Sequence, residues 1–179
     1  MSNSDNPALA TSVAEITESL DSPFAGDLYN NNAGPKMVPE VKALWLAWLR
    51  NPENKQIRRT LKKPDGHCCL GGLCEIHLQS LPEDQRKPWE ELPSISGDET
   101  TYRAASYLGA TSLLPPVVRD WAGFPFNSGR SVKVTEAIMN TYPALKEKTS
   151  DMPLMFRLPI LNDCGVPFFV IADLIEEQF

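Results

Sequence analysis

Between Pro39 and Arg50 the residues Val41, Leu44, Trp45, Trp48 and Leu49 recur at i, i+3, i+4, i+7 and i+8, which places all five on one face of an α-helix. A stripe carrying two tryptophans has to be covered, so the rest of the chain must build a core against this helix over 39–50. Asn51-Pro52 ends it, because the residue before a proline is driven out of helical backbone geometry. The same indoles could line a binding groove; core anchoring is the better reading, since aromatic side chains contribute the largest buried areas.

Two more helices are read as the covering layer. After the Pro64-Asp65-Gly66 turn, one starts at Cys68 or Cys69 and spans about 69–80, ahead of Pro82. Helical projection sets Cys69, Leu73 and Ile76 on one side of an apolar arc and Leu70, Cys74, His77 and Leu81 on the adjoining side. Gly71 and Gly72 each cost about 1 kcal/mol of helix propensity relative to alanine, so a close contact or a late helix start must explain them. The other helix spans about 167–177, following a turn at Asn162-Asp163 and Gly165. Its Phe168, Ile171, Ala172, Leu174 and Ile175 face inward, and Asp173, Glu176 and Glu177 face water. Leu114 to Gly123 reads as a short helix with proline in its first turn and a glycine stop. Thr100 to Leu114 reads as a hairpin turning at Gly109, and Ser131 to Tyr142 as a helix or a strand pair. The expected fold class is α+β, a helix-dominated single globular domain over 36–179 with a small β-hairpin.

A chain of 179 residues, 42% hydrophobic and 22% charged, suits one domain with an ordinary core. Residues 1–35 contain no basic residue and close with the polar run Tyr29 to Pro35; they read as an amino-terminal extension, mobile or docked on a partner, with one helical candidate at Ala8 to Leu20. No apolar run approaches the ~20 residues of a bilayer span. The first residues lack the basic and apolar regions of a secretory signal, so a cytoplasmic location with reduced cysteines is expected, and no membrane partner. The adjacent pair Cys68-Cys69 is badly placed to bridge. A net charge of −6 disfavours nucleic acid as a partner. Yet Lys36, Lys42, Arg50, Lys55, Arg58, Arg59, Lys62 and Lys63 follow one another against only Glu40 and Glu53, which leaves room for a local anion site.

Directly after that basic run, both histidines and three of the four cysteines fall within His67-Cys68-Cys69-Leu70-Gly71-Gly72-Leu73-Cys74-Glu75-Ile76-His77. Cys69-x4-Cys74-x2-His77 offers three soft ligands, with His67 or Cys164 as a distant fourth. A structural zinc site instead pairs ligands on a turn and adds a second pair, and Cys69 and Cys74 project about 140° apart on a helix. A thiolate at a helix start beside basic residues is activated, which suits Cys68 or Cys69. The only bases are His67, an immediate neighbour, and His77, in the apolar arc, so buried thiols behaving as small hydrophobes fit better than a metal site or a cysteine enzyme. No metal or other cofactor is expected. Anion binding asks for less: Arg58, Arg59, Lys62 and Lys63 supply charge, and main-chain donors at Cys68, Cys69 and Gly71 can orient a phosphate at the helix start. Gly71-Gly72 is not followed by Lys-Ser or Lys-Thr, so this is no Walker loop. Gly165-x2-Phe168-x2-Ile171-Ala172 superficially matches part of a helix-turn-helix, but its helix is acidic and suits DNA poorly.

Three motifs occur in order over about residues 40–177: Cys68-Cys69-Leu70-Gly71-Gly72-Leu73-Cys74-Glu75, Leu114-Pro115-x2-Val118-x2-Trp121-Ala122-Gly123, and Leu161-Asn162-Asp163-x-Gly165-x2-Phe168-x2-Ile171-Ala172-Asp173-Leu174-Ile175-Glu176. In these the chain resembles a family of small, functionally unassigned proteins encoded by tailed phages and prophages, departing from it at Gly72 and Pro167. The resemblance implies a phage accessory protein, resident in the host cytoplasm, and no catalytic residues. Joined to the basic helix start, it leads to an expected function in host interaction or counter-defence by non-enzymatic binding, with a phosphorylated nucleotide signal or a host protein as partner. A cysteine- or zinc-dependent small enzyme and a DNA-binding regulator are the alternatives, and homo-oligomerisation stays open.

Overall fold

The computed structural model describes residues 37–92, 104–148 and 155–179; the amino-terminal extension with its helical candidate, and residues 100–103 of the expected hairpin, lie outside them. Helix α1 (Pro39–Arg50) buries Val41, Trp45, Leu46 and Leu49. Leu44, expected on the stripe, is exposed, and Leu46 takes its place. The reason is that α1 is covered by two neighbours, α2 (Cys69–Ser80) and α6 (Phe168–Gln178), which together widen the buried arc toward Leu46. These three helices are the expected core. The Trp45 indole N–H donates to the Cys69 carbonyl at 3.0 Å, so the largest core side chain also has its polar atom satisfied. Arg50 pairs with Asp173 and Glu176 of α6, and the Lys42 ammonium donates to the carbonyls of Glu176 and Phe179.

Helix α2 is buried on nearly every side, which its low amphipathicity in sequence foreshadows. Both of its glycines are explained by close approach. A Cβ on Gly71 would overlap the Leu61 carbonyl oxygen, and one on Gly72 would overlap the Trp48 ring.

The basic run, expected as a loop, contains a hairpin instead. Strands β1 (Lys62–Lys63) and β2 (Gly66–His67) pair across Pro64-Asp65, and two-residue strands of polar composition carry no periodicity to detect. With β3 (Glu90–Glu91) and β4 (Ala105–Ser106) they form an antiparallel sheet in the order β2-β1-β4-β3. The turn expected at Gly109 is present: Tyr107 and Ala110 exchange backbone hydrogen bonds around Leu108 and Gly109, both in left-handed backbone geometry (φ 51° and 79°).

Helix α3 (Pro116–Ala122) stops at Gly123, left-handed at φ 74°. Between Ser131 and Tyr142 the chain makes a strand and then a helix, β5 (Ser131–Lys133) and α4 (Glu136–Thr141). Strand β5 pairs antiparallel with β6 (Met155–Arg157). Asn162-Asp163 does not form a turn as expected; it closes helix α5 (Leu158–Asp163), and Gly165 (φ 84°) supplies the reversal into α6. The Gln178 carboxamide bonds both the N–H and the carbonyl of Lys133, fixing α6 to β5. One continuous core draws buried side chains from α1, α2, α3, α5 and α6, with Ile138 and Met139 of α4 packed against it, completing the α+β domain. Among the described residues no helix is long and apolar enough to cross a membrane.

Candidate functional site

The first amides of a helix have no partner of their own and invite an anion. In α2 they are taken. Cys69 N–H donates to Asn162 Oδ1 at 3.1 Å and Gly71 N–H to Cys68 Sγ at 3.4 Å, while Cys68 N–H donates to the Leu61 carbonyl at 3.0 Å. Asn162 is fully buried, and its Nδ2 donates to the Ile57 carbonyl at 2.7 Å. Its Oδ1 also accepts from Gln56 Nε2, which reaches the Val166 carbonyl as well, and Gln56 Oε1 accepts the Phe168 N–H at the start of α6. Two carboxamides thus tie the start of α2, the end of α5 and the start of α6 to residues 56–57. Neither was singled out as functional from sequence; the only signal was a polar residue inside the Leu161-Asn162-Asp163 motif.

Cys68, Cys69 and Gly71 therefore lie behind the surface, and the main-chain donors expected to orient a phosphate there have partners within the chain. The four basic candidates do not converge either. Arg58 and Arg59 are exposed; the Arg58 guanidinium lies over Gly165, and Arg59, left-handed at φ 71°, donates its N–H to the Asp163 carboxylate at 2.8 Å. Lys62 is held elsewhere, its ammonium 3.5 Å from Glu75 and 5.0 Å over the Trp89 ring. Lys63 is next on the strand and half-buried.

Glu75 is the electrostatic centre of that second neighbourhood. His67, the Trp89 indole N–H at 2.8 Å and Lys62 hold its carboxyl down at about 2, against the opposing cost of burial. At 3.6 Å the His67 contact is longer than a hydrogen bond, so it acts through charge when the imidazole is protonated. The ring of His67 sits between those of Trp48 and Trp89.

The thiols are poor nucleophiles. Burial pushes Cys68 up to about 11 and holds Cys69 and Cys74 well above the ordinary thiol range. His77 is buried against Trp121, with Nδ1 2.8 Å from the Tyr107 hydroxyl, and burial lowers its pKa. Among the described residues no group of three or more His, Cys, Asp or Glu stands where it could hold a metal ion.

A different feature faces solvent. A groove of about 370 Å³ is lined by Leu108, Ala110, Leu113, Pro115, Pro116 and Asn127, among others. Its frame is fixed: the Thr111 carbonyl accepts from Leu61 N–H and Thr60 Oγ1, Leu114 N–H donates to the Asn127 carbonyl, and the Leu114 side chain is buried. Of the six large apolar side chains exposed among the described residues, Leu108, Leu113, Val117 and Phe126 either line this groove or adjoin its lining residues in the chain. Reading Leu114 to Gly123 as a helix alone missed this, because exposure of Leu113 and Val117 depends on how the loop before α3 is hung.

Neither the curated proteins nor the solved structures compared with the chain include a match. Residues 37–179, which take in every element above from α1 to α6, match a family described as a domain of unknown function, DUF8296, and the chain belongs to that family.

Proposed function

We propose that this chain is a phage accessory protein that acts without catalysis, by binding a host protein through the groove and its apolar rim. The observation that carries the reading is that the exposed Leu108 and Leu113 line one fixed concavity, with the exposed Val117 and Phe126 next in the chain to its lining residues Pro116 and Asn127. Large apolar side chains scattered singly over a surface need no explanation, but a group of them marks a contact surface. The three-motif resemblance supports the phage origin, and the protonated, buried thiols support a role other than covalent chemistry. Sequestration of a phosphorylated signal is the weaker form of the proposal. Its cations are divided between two neighbourhoods, and its main-chain donors already have partners.

The test compares wild-type protein with the double variant Leu113→Asp, Val117→Asp, whose sites are exposed, in capture from host lysate. Each captured protein is then purified and its affinity measured. One host protein whose affinity falls at least about tenfold in the variant, equivalent to about 1.4 kcal/mol, is expected. A thermal shift with cyclic di- or trinucleotides or adenosine diphosphate-ribose derivatives, without any groove-dependent protein, would replace this reading with messenger sequestration.

A further inference from the structure

We infer that Glu75 Oε2 is a proton-gated junction: with His67 neutral it holds the Lys62 ammonium, and with His67 protonated it takes the imidazolium and releases Lys62 to solvent. Among the described residues, His67 Nε2 is the one buried side-chain nitrogen or oxygen without a hydrogen-bond partner. Buried polar atoms are almost always satisfied, so an orphan of this kind needs a physical reason. Here the atom has a partner waiting in its other protonation state. Glu75 Oε2 lies 3.6 Å from it, too far for a hydrogen bond, and closing to the usual length of a charge-assisted bond takes a movement of about 0.8 Å.

The hairpin creates a competition for that oxygen. Lys62 and His67 are cross-strand partners in β1 and β2, so their side chains leave the ribbon on the same face. There Glu75 Oε2 stands 3.5 Å from Lys62 Nζ and 3.6 Å from His67 Nε2, and accepts the Trp89 indole N–H at 2.8 Å. The indole bond serves either state, while two cations opposite each other on one face repel. Glu75 and Lys62 are the charged groups that face the His67 ring among the described residues. Trp48 of α1 and Trp89 flank it without charge, and residues 55 and 57 meet it through the main chain, His67 N–H donating to the Lys55 carbonyl at 3.0 Å and Ile57 N–H to the His67 carbonyl at 2.9 Å. His67 is thus pinned, whereas Lys62 sits on a flexible stem with 27% of its side chain exposed. An unpaired charge at a buried atom is far costlier than an ammonium returned to water, and that difference decides which cation keeps the carboxylate. Glu75, held down at about 2, stays ionised throughout the range in which a histidine changes charge, so the proton on His67 alone selects its partner. A proton taken up at a buried nitrogen becomes a free ammonium on the surface of β1.

The experiment uses the full chain labelled with fluorotryptophan, its Trp89 fluorine resonance assigned by Trp89→Phe and its His67 ring carbons by His67→Gln, as pH is lowered from about 8 to about 5. The Lys62 ammonium lies 5.0 Å over the Trp89 ring, so its departure shifts that resonance. The Trp89 shift should run in step with protonation of the His67 ring and be absent in His67→Gln. Lys62→Met, which keeps the apolar stem and removes the cation, should lose most of the Trp89 shift while His67 still takes up its proton. A Trp89 resonance that stays in place while His67 is protonated, or a His67 ring that does not change over this range, would overturn the inference in the wild-type protein alone. A shift retained in His67→Gln would assign it to another group, and a shift of full size in Lys62→Met would show the imidazolium acting on the indole directly, with no release of Lys62; either result also overturns it.

Discussion

Asn162→Ala removes the side chain that closes the start of α2, and its cost can be worked from the hydrogen bonds. The Cys69 N–H and the Ile57 carbonyl lose the partners that the Asn162 amide gave them, in a site with no solvent exposure at residue 162. Gln56 Nε2 keeps the Val166 carbonyl, so it is not stranded. Each buried group left without a partner costs about 1–3 kcal/mol, which for the two groups gives about 2–6 kcal/mol for the variant. That is a large share of a total stability of roughly 5–15 kcal/mol. At about 3 °C per kcal/mol for a unit of this size, Tm should fall by about 6–18 °C. Urea unfolding is the assay, with the slope against denaturant checked for constancy. A loss below about 1 kcal/mol at unchanged slope would refute the assignment of Asn162 as the cap of α2. Asn162→Asp sharpens the test. The new carboxyl can still accept from Cys69 N–H, but once ionised it opposes the Ile57 carbonyl and the neighbouring Asp163, so this variant should recover stability relative to wild type on acidification.

Two further outcomes are expected. Gly71→Ala should destabilise by about 2–4 kcal/mol in denaturant unfolding despite a gain of about 1 kcal/mol in helix propensity, because the new methyl meets the Leu61 backbone carbonyl, which also accepts the Cys68 N–H. Glu75, lowered from 4.5 to about 2 in the folded protein, contributes stability that is complete above pH 4.5 and is lost as pH falls toward about 2. Unfolding measured across that window should show the slope flattened in Glu75→Gln, by about 2–3 kcal/mol over the full range, and an unchanged slope would exclude Glu75 as its source.

The long helices were legible because their side chains repeat over three turns. The spans read at 39–50, 69–80 and 167–177 are the helices Pro39–Arg50, Cys69–Ser80 and Phe168–Gln178. Gly71 and Gly72 were legible as a problem, and the Leu61 carbonyl and Trp48 ring are its answer. What the sequence hid was set by tertiary contacts. Strands of two or three residues such as Lys62–Lys63 and Ser131–Lys133 are too short for alternation to show, and they exist because a neighbour pairs with them. The charge of Lys62 was visible but its direction was not, since that depends on Glu75 and Trp89 arriving from α2 and from residue 89. Asn162 was hardest to foresee. Its partner Cys69 lies 93 residues away, and no local rule assigns a side-chain amide to the end of a distant helix.

The carboxamide of Gln178 acts as a one-residue strand. By filling both the donor and the acceptor of Lys133, it occupies the rung that β5 would otherwise offer to an extended segment of another molecule. Exposed ladder edges are where sheets recruit strangers and grow into aggregates, and a two-stranded ribbon has two of them. This chain therefore uses the last turn of α6 to cover one edge, so that fraying of that turn would open the β5 rung at Lys133 to a strand of another molecule while Phe168, Ile171 and Ala172 stayed packed in the core.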